Sequence, residues 1–140
     1  MYKISNIDFR MNTVSVVLLI LRVGIAIMML IHGIPKLQML FSDNIQFPGV
    51  MGMSPFFSLT LTVLAEVLCS LLIFFGLFTR IATIPLILTM LTAVFLIHGA
   101  DPFAKQELGL LYLLVYVALF MLGGGKYSID AILQRHRLEK

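Results

Sequence analysis

The sequence predicts an all-α fold, an integral membrane four-helix bundle with a long outer loop between helices one and two and a short amphipathic C-terminal tail. Three observations predict it. Of 140 residues, 60% are hydrophobic and 12% charged, against about 45–50% and about 25% in soluble domains. The apolar residues gather into four stretches of spanning length, and turn signals part them. A single domain over residues 1–140 cannot hide that much apolar surface, so lipid must be the solvent for most of it.

The spans are expected at Val14 to Ile34, Phe56 to Phe78, Ile81 to His98 and Pro102 to Leu122. Each is near the roughly 20 residues that cross about 30 Å of hydrocarbon at about 1.5 Å per residue. Nothing before Val14 resembles a cleavable leader, so the first span is expected to stay as an anchor. The second and third are joined through Thr79-Arg80, which makes them a tight antiparallel hairpin, with Gly76 and the Thr79 hydroxyl suited to the turn. Pro85 falls in the first turn of the third helix, where a missing donor costs little. Asp101-Pro102 reads as an N-cap followed by proline at the first helical position. Gly123-Gly124-Gly125 stops the fourth helix.

The long connection from Pro35 to Pro55 carries Phe41, Phe47, Met51 and Met53, which is greasy for a solvated loop. It either folds back over the outer end of the bundle as a lid or rests in the headgroups. The tail from Tyr127 to Lys140 sets Ile129, Ile132 and Leu133 among Asp130, Arg135 and Arg137, as a short amphipathic helix would.

Lysine and arginine counts orient the chain. Lys3, Arg10, Arg80, Lys126, Arg135, Arg137 and Lys140 fall on one side and Lys36 and Lys105 on the other, which puts both termini in the cytoplasm. Ten basic against seven acidic residues is too narrow and dispersed an excess for a nucleic-acid surface. The single cysteine, Cys69, rules out an internal dithiol pair.

Ionisable residues inside the spans carry the functional signal. A lone charge at mid-bilayer costs roughly 2.5–3.5 kcal/mol on insertion scales, so Arg22 and Glu66 should turn inward. Depths counted from the ends of the spans predict that they pair across helices one and two, either as a lock on helix register or with Glu66 in a proton relay. Thr62, Cys69 and Ser70 give Glu66 a small polar stripe.

The tetrapeptide Leu-Ile-His-Gly occurs at Leu30–Gly33 and again at Leu96–Gly99, each time closing an apolar segment and followed by a proline and a lysine. If helices one and three run in the same direction, His32 and His98 share one depth near one face. Helical spacing turns His32 and Lys36 toward the same interior as Arg22, and Glu107 enters from the second turn of helix four. The expected site is therefore a cluster of His32, Lys36, His98 and Glu107 above an Arg22/Glu66 floor. The repeat also suggests two halves related by an axis along the membrane normal.

Two histidines on different helices could ligate haem, or bind zinc or iron with Glu107. The glycine after each histidine and the lack of another pocket signature disfavour both haem and metal. A quinone needs no metal: its two carbonyl oxygens want donors and its reduction needs protons, which histidine, lysine and carboxylate supply. Its ring and tail would lie against Met28, Met29, Phe95 and Tyr112.

Arg22 with Gly24, His32-Gly33 with Lys36, Glu66, Gly76 then Thr79-Arg80, His98, Glu107, and Gly123/Gly125 followed by Ser128 and Asp130 together resemble the DoxX family of small four-span membrane proteins. The resemblance covers nearly the whole chain. It implies a bundle in the prokaryotic cytoplasmic (inner) membrane, a link to thiosulfate:quinone oxidation or thiol redox, and a protein partner in a redox complex.

The functional expectation is a redox-linked membrane protein that binds quinone, or couples oxidation of thiol or sulfur compounds to the quinone pool. In it His32, Lys36, Arg22 and Tyr112 bind, and His98, Glu107 and Glu66 handle protons. A non-enzymatic membrane scaffold and a small-solute or ion permease are the alternatives. A copurifying quinone, none, or flux into liposomes would separate the three.

Overall fold

The computed structural model describes residues 11–138. Lys3, Arg10 and Lys140, which enter the orientation count above, lie outside the described residues. Helix α1 runs Met11–Leu40, α2 Pro55–Phe75, α3 Thr79–Ile97 and α4 Phe103–Leu122, and all four are long and apolar enough to cross a membrane. A fifth, amphipathic helix, α5, covers Ile129–Leu138.

Each start and stop has a local cause. Ser54 caps α2 by accepting a hydrogen bond from the Phe57 N–H, with Pro55 in the first turn where no donor is needed. Gly76 ends α2 in the left-handed region at φ 70°, while the Leu77 N–H closes back on the Leu72 carbonyl. Phe78 is also left-handed, at φ 49°. Its strained turn is held by Asp130, whose carboxylate accepts from the Phe78 and Thr79 N–H groups at 2.7 and 2.9 Å and so caps α3 from the tail.

Three boundaries differ from expectation. Helix α1 does not end at Ile34 but passes through Pro35 to Leu40, so the first Leu-Ile-His-Gly copy lies inside a helix and only the second closes one. Helix α3 starts at Thr79, which puts Pro85 in its second turn. At the start of α4 Pro102 itself occupies the half-in position, so Asp101 does not cap that helix.

The core is a column of Leu18, Ile25, Ala26, Met29, Ile73, Ala82, Leu86, Met90, Tyr112, Tyr116 and Leu119. Most remaining apolar side chains face outward, as a protein solvated by lipid requires. Small residues let the helices approach: a Cβ on Gly33 would lie 2.9 Å from Val67 Cγ2 and 3.1 Å from Glu66 Cβ, which sets α1 against α2 at that level.

Two segments depart from α geometry. Leu64–Cys69 in α2 and Thr92–Ile97 in α3 are π-helical, with the His98 N–H bonded to the Ala93 carbonyl five residues back. Such segments widen a helix and re-aim its side chains. One contains Glu66 and the other ends at His98.

Arg22 is 2% exposed and holds the opposite end together. Its guanidinium donates to the Gly124 carbonyl at 2.9 Å and the Tyr127 carbonyl at 2.8 Å, tying the turn after α4 to α1. It passes against Gly76, where any Cβ would collide with the guanidinium and with Ser128. Gly76→Ala should therefore lower stability by about 1–3 kcal/mol through both the left-handed backbone and this collision. Denaturation of the detergent-solubilised protein followed by circular dichroism measures it, and a parent-like midpoint would contradict this packing.

Candidate functional site

Glu66 is 2% exposed, on the widened segment of α2 and directly across from Gly33. One turn beyond Gly33, α1 delivers Lys36, whose Nζ donates to both carboxylate oxygens at 2.6 and 2.7 Å. Continuation of α1 through Pro35 is what brings this ammonium to bear.

The predicted Arg22–Glu66 pair is not formed. Gly33 marks the level of Glu66 on α1, and Arg22 lies eleven residues earlier, roughly 16 Å away along the helix axis. Depths counted from Val14 and from Phe78 are comparable only if those two ends are level; the Arg22 guanidinium instead reaches Gly76 at the very end of α2, ten residues from Glu66. Arg22 serves the tail end and forms no floor to the cluster.

Two cavities meet at the Lys36–Glu66 pair. One, about 510 Å³, lies where α2 and α3 diverge beneath the long loop, with Phe47, Met51 and Met53 as its roof. The loop therefore folds back as a lid, fixed by a hydrogen bond from the Val50 N–H to Ser58 Oγ at 3.1 Å. Leu61 and Leu88 line this cavity yet are exposed on the bundle surface, which marks a sideways opening toward lipid. The other, about 200 Å³, lies among α1, α3 and α4 and is lined by Met29, His32, Lys105, Leu108 and Tyr112 among others. Lys36, Glu66, Ala93 and His98 border both.

His32 and His98 thus share a cavity wall, as the repeat predicts. His32 meets Tyr112 edge-on with ring centroids 5.9 Å apart, and Tyr112 stacks on Tyr116 at 6.1 Å. Glu107 is exposed and lines neither cavity. Its neighbour Gln106 turns inward instead, donating to the His98 carbonyl at 2.8 Å and the Asp101 carbonyl at 3.1 Å. Of the apolar residues expected around a ring, Met29 and Tyr112 line the smaller cavity. Met28 lines an apolar groove between α1 and α4 that abuts Tyr112, and Phe95 faces outward.

Sequence reasoning missed Asp101 and Lys105. Freed from capping, Asp101 sits 2.7 Å from His98 Nδ1 and 3.7 Å from Lys105 Nζ. The signal was present as acid three residues after the histidine and lysine four after the acid. The hydrogen bond from His98, aided by the Lys105 charge, holds the Asp101 carboxyl below its usual range. Its oxygen fixes which face of the imidazole meets the cavity. Among the described residues no three His, Cys, Asp or Glu side chains converge where one metal ion could sit.

Below Glu66 the Ser70 and Tyr116 hydroxyls are both buried. Toward the Arg22 end the buried side chains are mostly apolar, among them Ile25, Ile73, Leu86 and Leu119, with the Thr83 hydroxyl turned onto the Arg80 carbonyl.

Against known proteins, the DoxX family profile matches residues 17–99. A relative in Bacillus subtilis (strain 168), "Putative oxidoreductase CatD", is 32% identical over 113 residues, 80% of this chain and 83% of the relative. No solved structure matches. The matched family segment includes Arg22, His32, Lys36, Glu66 and His98.

Removing Lys36 strands a carboxylate that is 3% exposed, whereas removing the Glu66 charge leaves an ammonium that is 29% exposed and can reach outward. Lys36→Met should cost about 3–5 kcal/mol and Glu66→Gln less than half of that. Equal losses in denaturation midpoints would refute the asymmetry. At Asp101 the folded pKa is depressed, so its stabilising contribution is present above the ordinary carboxylate range and fades as pH falls through the lowered value. Asp101→Asn should melt below the parent at neutral pH, the gap closing only in strong acid; a gap that widens in acid would reverse the assignment.

Proposed function

The chain belongs to the DoxX family, and from that premise we propose that this redox-linked membrane protein binds a quinone headgroup at the pocket around Lys36 and Glu66. The observation that carries the proposal is the convergence of Lys36, Glu66, His32, His98 and Tyr112 on two connected cavities that a methionine-lined lid covers. The larger cavity falls within the roughly 300–1,000 Å³ of small-molecule pockets, apolar with a few convergent polar groups.

The chemistry fits the donor set. Lys36 offers an ammonium proton to one carbonyl oxygen, and His32 or His98 a ring N–H to the other. Becoming a quinol requires two electrons and two protons. His98, oriented by Asp101, and Glu66, held by Lys36, are the groups in place to pass those protons. With one cysteine the chain has no dithiol of its own. The electrons then come from an external thiol or reduced sulfur compound, two thiols leaving as a disulfide, or from a redox protein partner. The opening between Leu61 and Leu88 admits a ligand from the bilayer, and the stacked Tyr112 and Met29 supply apolar contact.

Orientation belongs to the same proposal: the lid end faces out and the basic tail end faces the cytoplasm of a prokaryotic inner membrane, supported by the excess of lysine and arginine at the tail.

Mild-detergent purification with mass spectrometry of bound lipids tests the proposal. The parent should retain a quinone, and His98→Ala should reduce retention about tenfold, the loss of one charge-assisted contact, while its helical signal stays intact. No quinone in the parent, or undiminished retention in the variant, would remove the assignment. Infrared difference spectra give a second readout, since a Glu66 band unmoved by quinone reduction would exclude it from proton transfer.

A further inference from the structure

A second polar cavity, about 650 Å³, lies at the tail end between the start of α3, the glycine run after α4, and α5. It shares no residue with the pocket around Glu66. Arg80 and Lys126 border it, both exposed. Arg80 donates to the Met121 carbonyl at 3.2 Å and Lys126 to Asn12 Oδ1 at 3.2 Å, both neutral acceptors. Among the described residues neither cation enters a salt bridge. The acid on the wall, Asp130, already has both oxygens on the Phe78 and Thr79 N–H groups. Thr79 Oγ1 is fully buried, without a hydrogen-bond partner, against Gly124 on the same wall.

This cavity sits where α2 ends and α3 begins, the level at which the spans leave hydrocarbon. Beside the two cations its rim carries Phe78, Ile81 and Leu122, exposed by 57, 66 and 58%. Unpaired cations over a glycine turn, adjoining an apolar rim at headgroup depth, match the two halves of one kind of molecule. We propose that the cavity binds the phosphodiester headgroup of an anionic phospholipid, its acyl chains lying along Phe78, Ile81 and Leu122. Basic pockets between spans take such headgroups. A soluble phosphate would satisfy the cations and leave the rim without a role.

Native mass spectrometry of the detergent-solubilised full chain, offered equal dioleoyl-phosphatidylglycerol and dioleoyl-phosphatidylcholine, tests it. The parent should retain the anionic phosphatidylglycerol preferentially. The double variant Arg80→Gln/Lys126→Gln should bind it roughly 25-fold more weakly, at about fivefold per cation, and Arg80→Lys should keep most of the preference. Equal retention of the two lipids by the parent overturns the proposal, as does a preference that survives the double variant. Thermal stabilisation by inorganic phosphate alone, matching that from the anionic lipid, overturns it in favour of a soluble anion. The parent comparisons decide the matter even if the double variant does not fold.

Discussion

A carboxylate at the middle of a span is costly unless a partner meets it, and in this bundle that partner is Lys36. The contact of Lys36 with Glu66 demands that α1 continue past Pro35, that Gly33 have no side chain, and that α2 widen into a π segment so the carboxylate reaches α1. Together these local features bring the two charges into contact. Replacing both partners by apolar residues of similar volume could leave such a bundle as stable or more so, whereas removing one partner strands the other.

The two ends solve the same problem by different chemistry. At the lid end, a side-chain cation meets a side-chain carboxylate directly, in the walls of two cavities, and the widened segments of α2 and α3 flank them. At the tail end, Arg22 is satisfied by main-chain carbonyls and Asp130 by main-chain N–H groups. Arg22 and Glu66, equally buried, thus differ in what satisfies them.

Much of the architecture was legible because apolar run length depends on composition, which the bilayer constrains strongly. The four spans, the α2–α3 hairpin and the placement of His32 and His98 on one cavity wall all follow from runs and repeats. Partner choice was not legible. Span ends alone do not say how neighbouring helices are staggered, and the stagger puts the Arg22 guanidinium at Gly76 while Glu66 lies across from Gly33. Aspartate before proline is the pattern of a cap, yet Pro102 takes the half-in position and releases the Asp101 carboxylate to His98. Helical spacing points Glu107 inward, although Gln106, one residue and about 100° earlier, is the side chain that turns in. Neither π segment has a local signature, since an i to i−5 pattern is imposed by what the helix packs against.

The apolar packing of Ile25, Ile73, Leu86 and Leu119 bears on access to the pocket. The Thr83 hydroxyl, buried beside these residues, already donates to the Arg80 carbonyl of its own helix. Small molecules or protons approaching Glu66 therefore have their roomier access from the lid side, where the cavities lie.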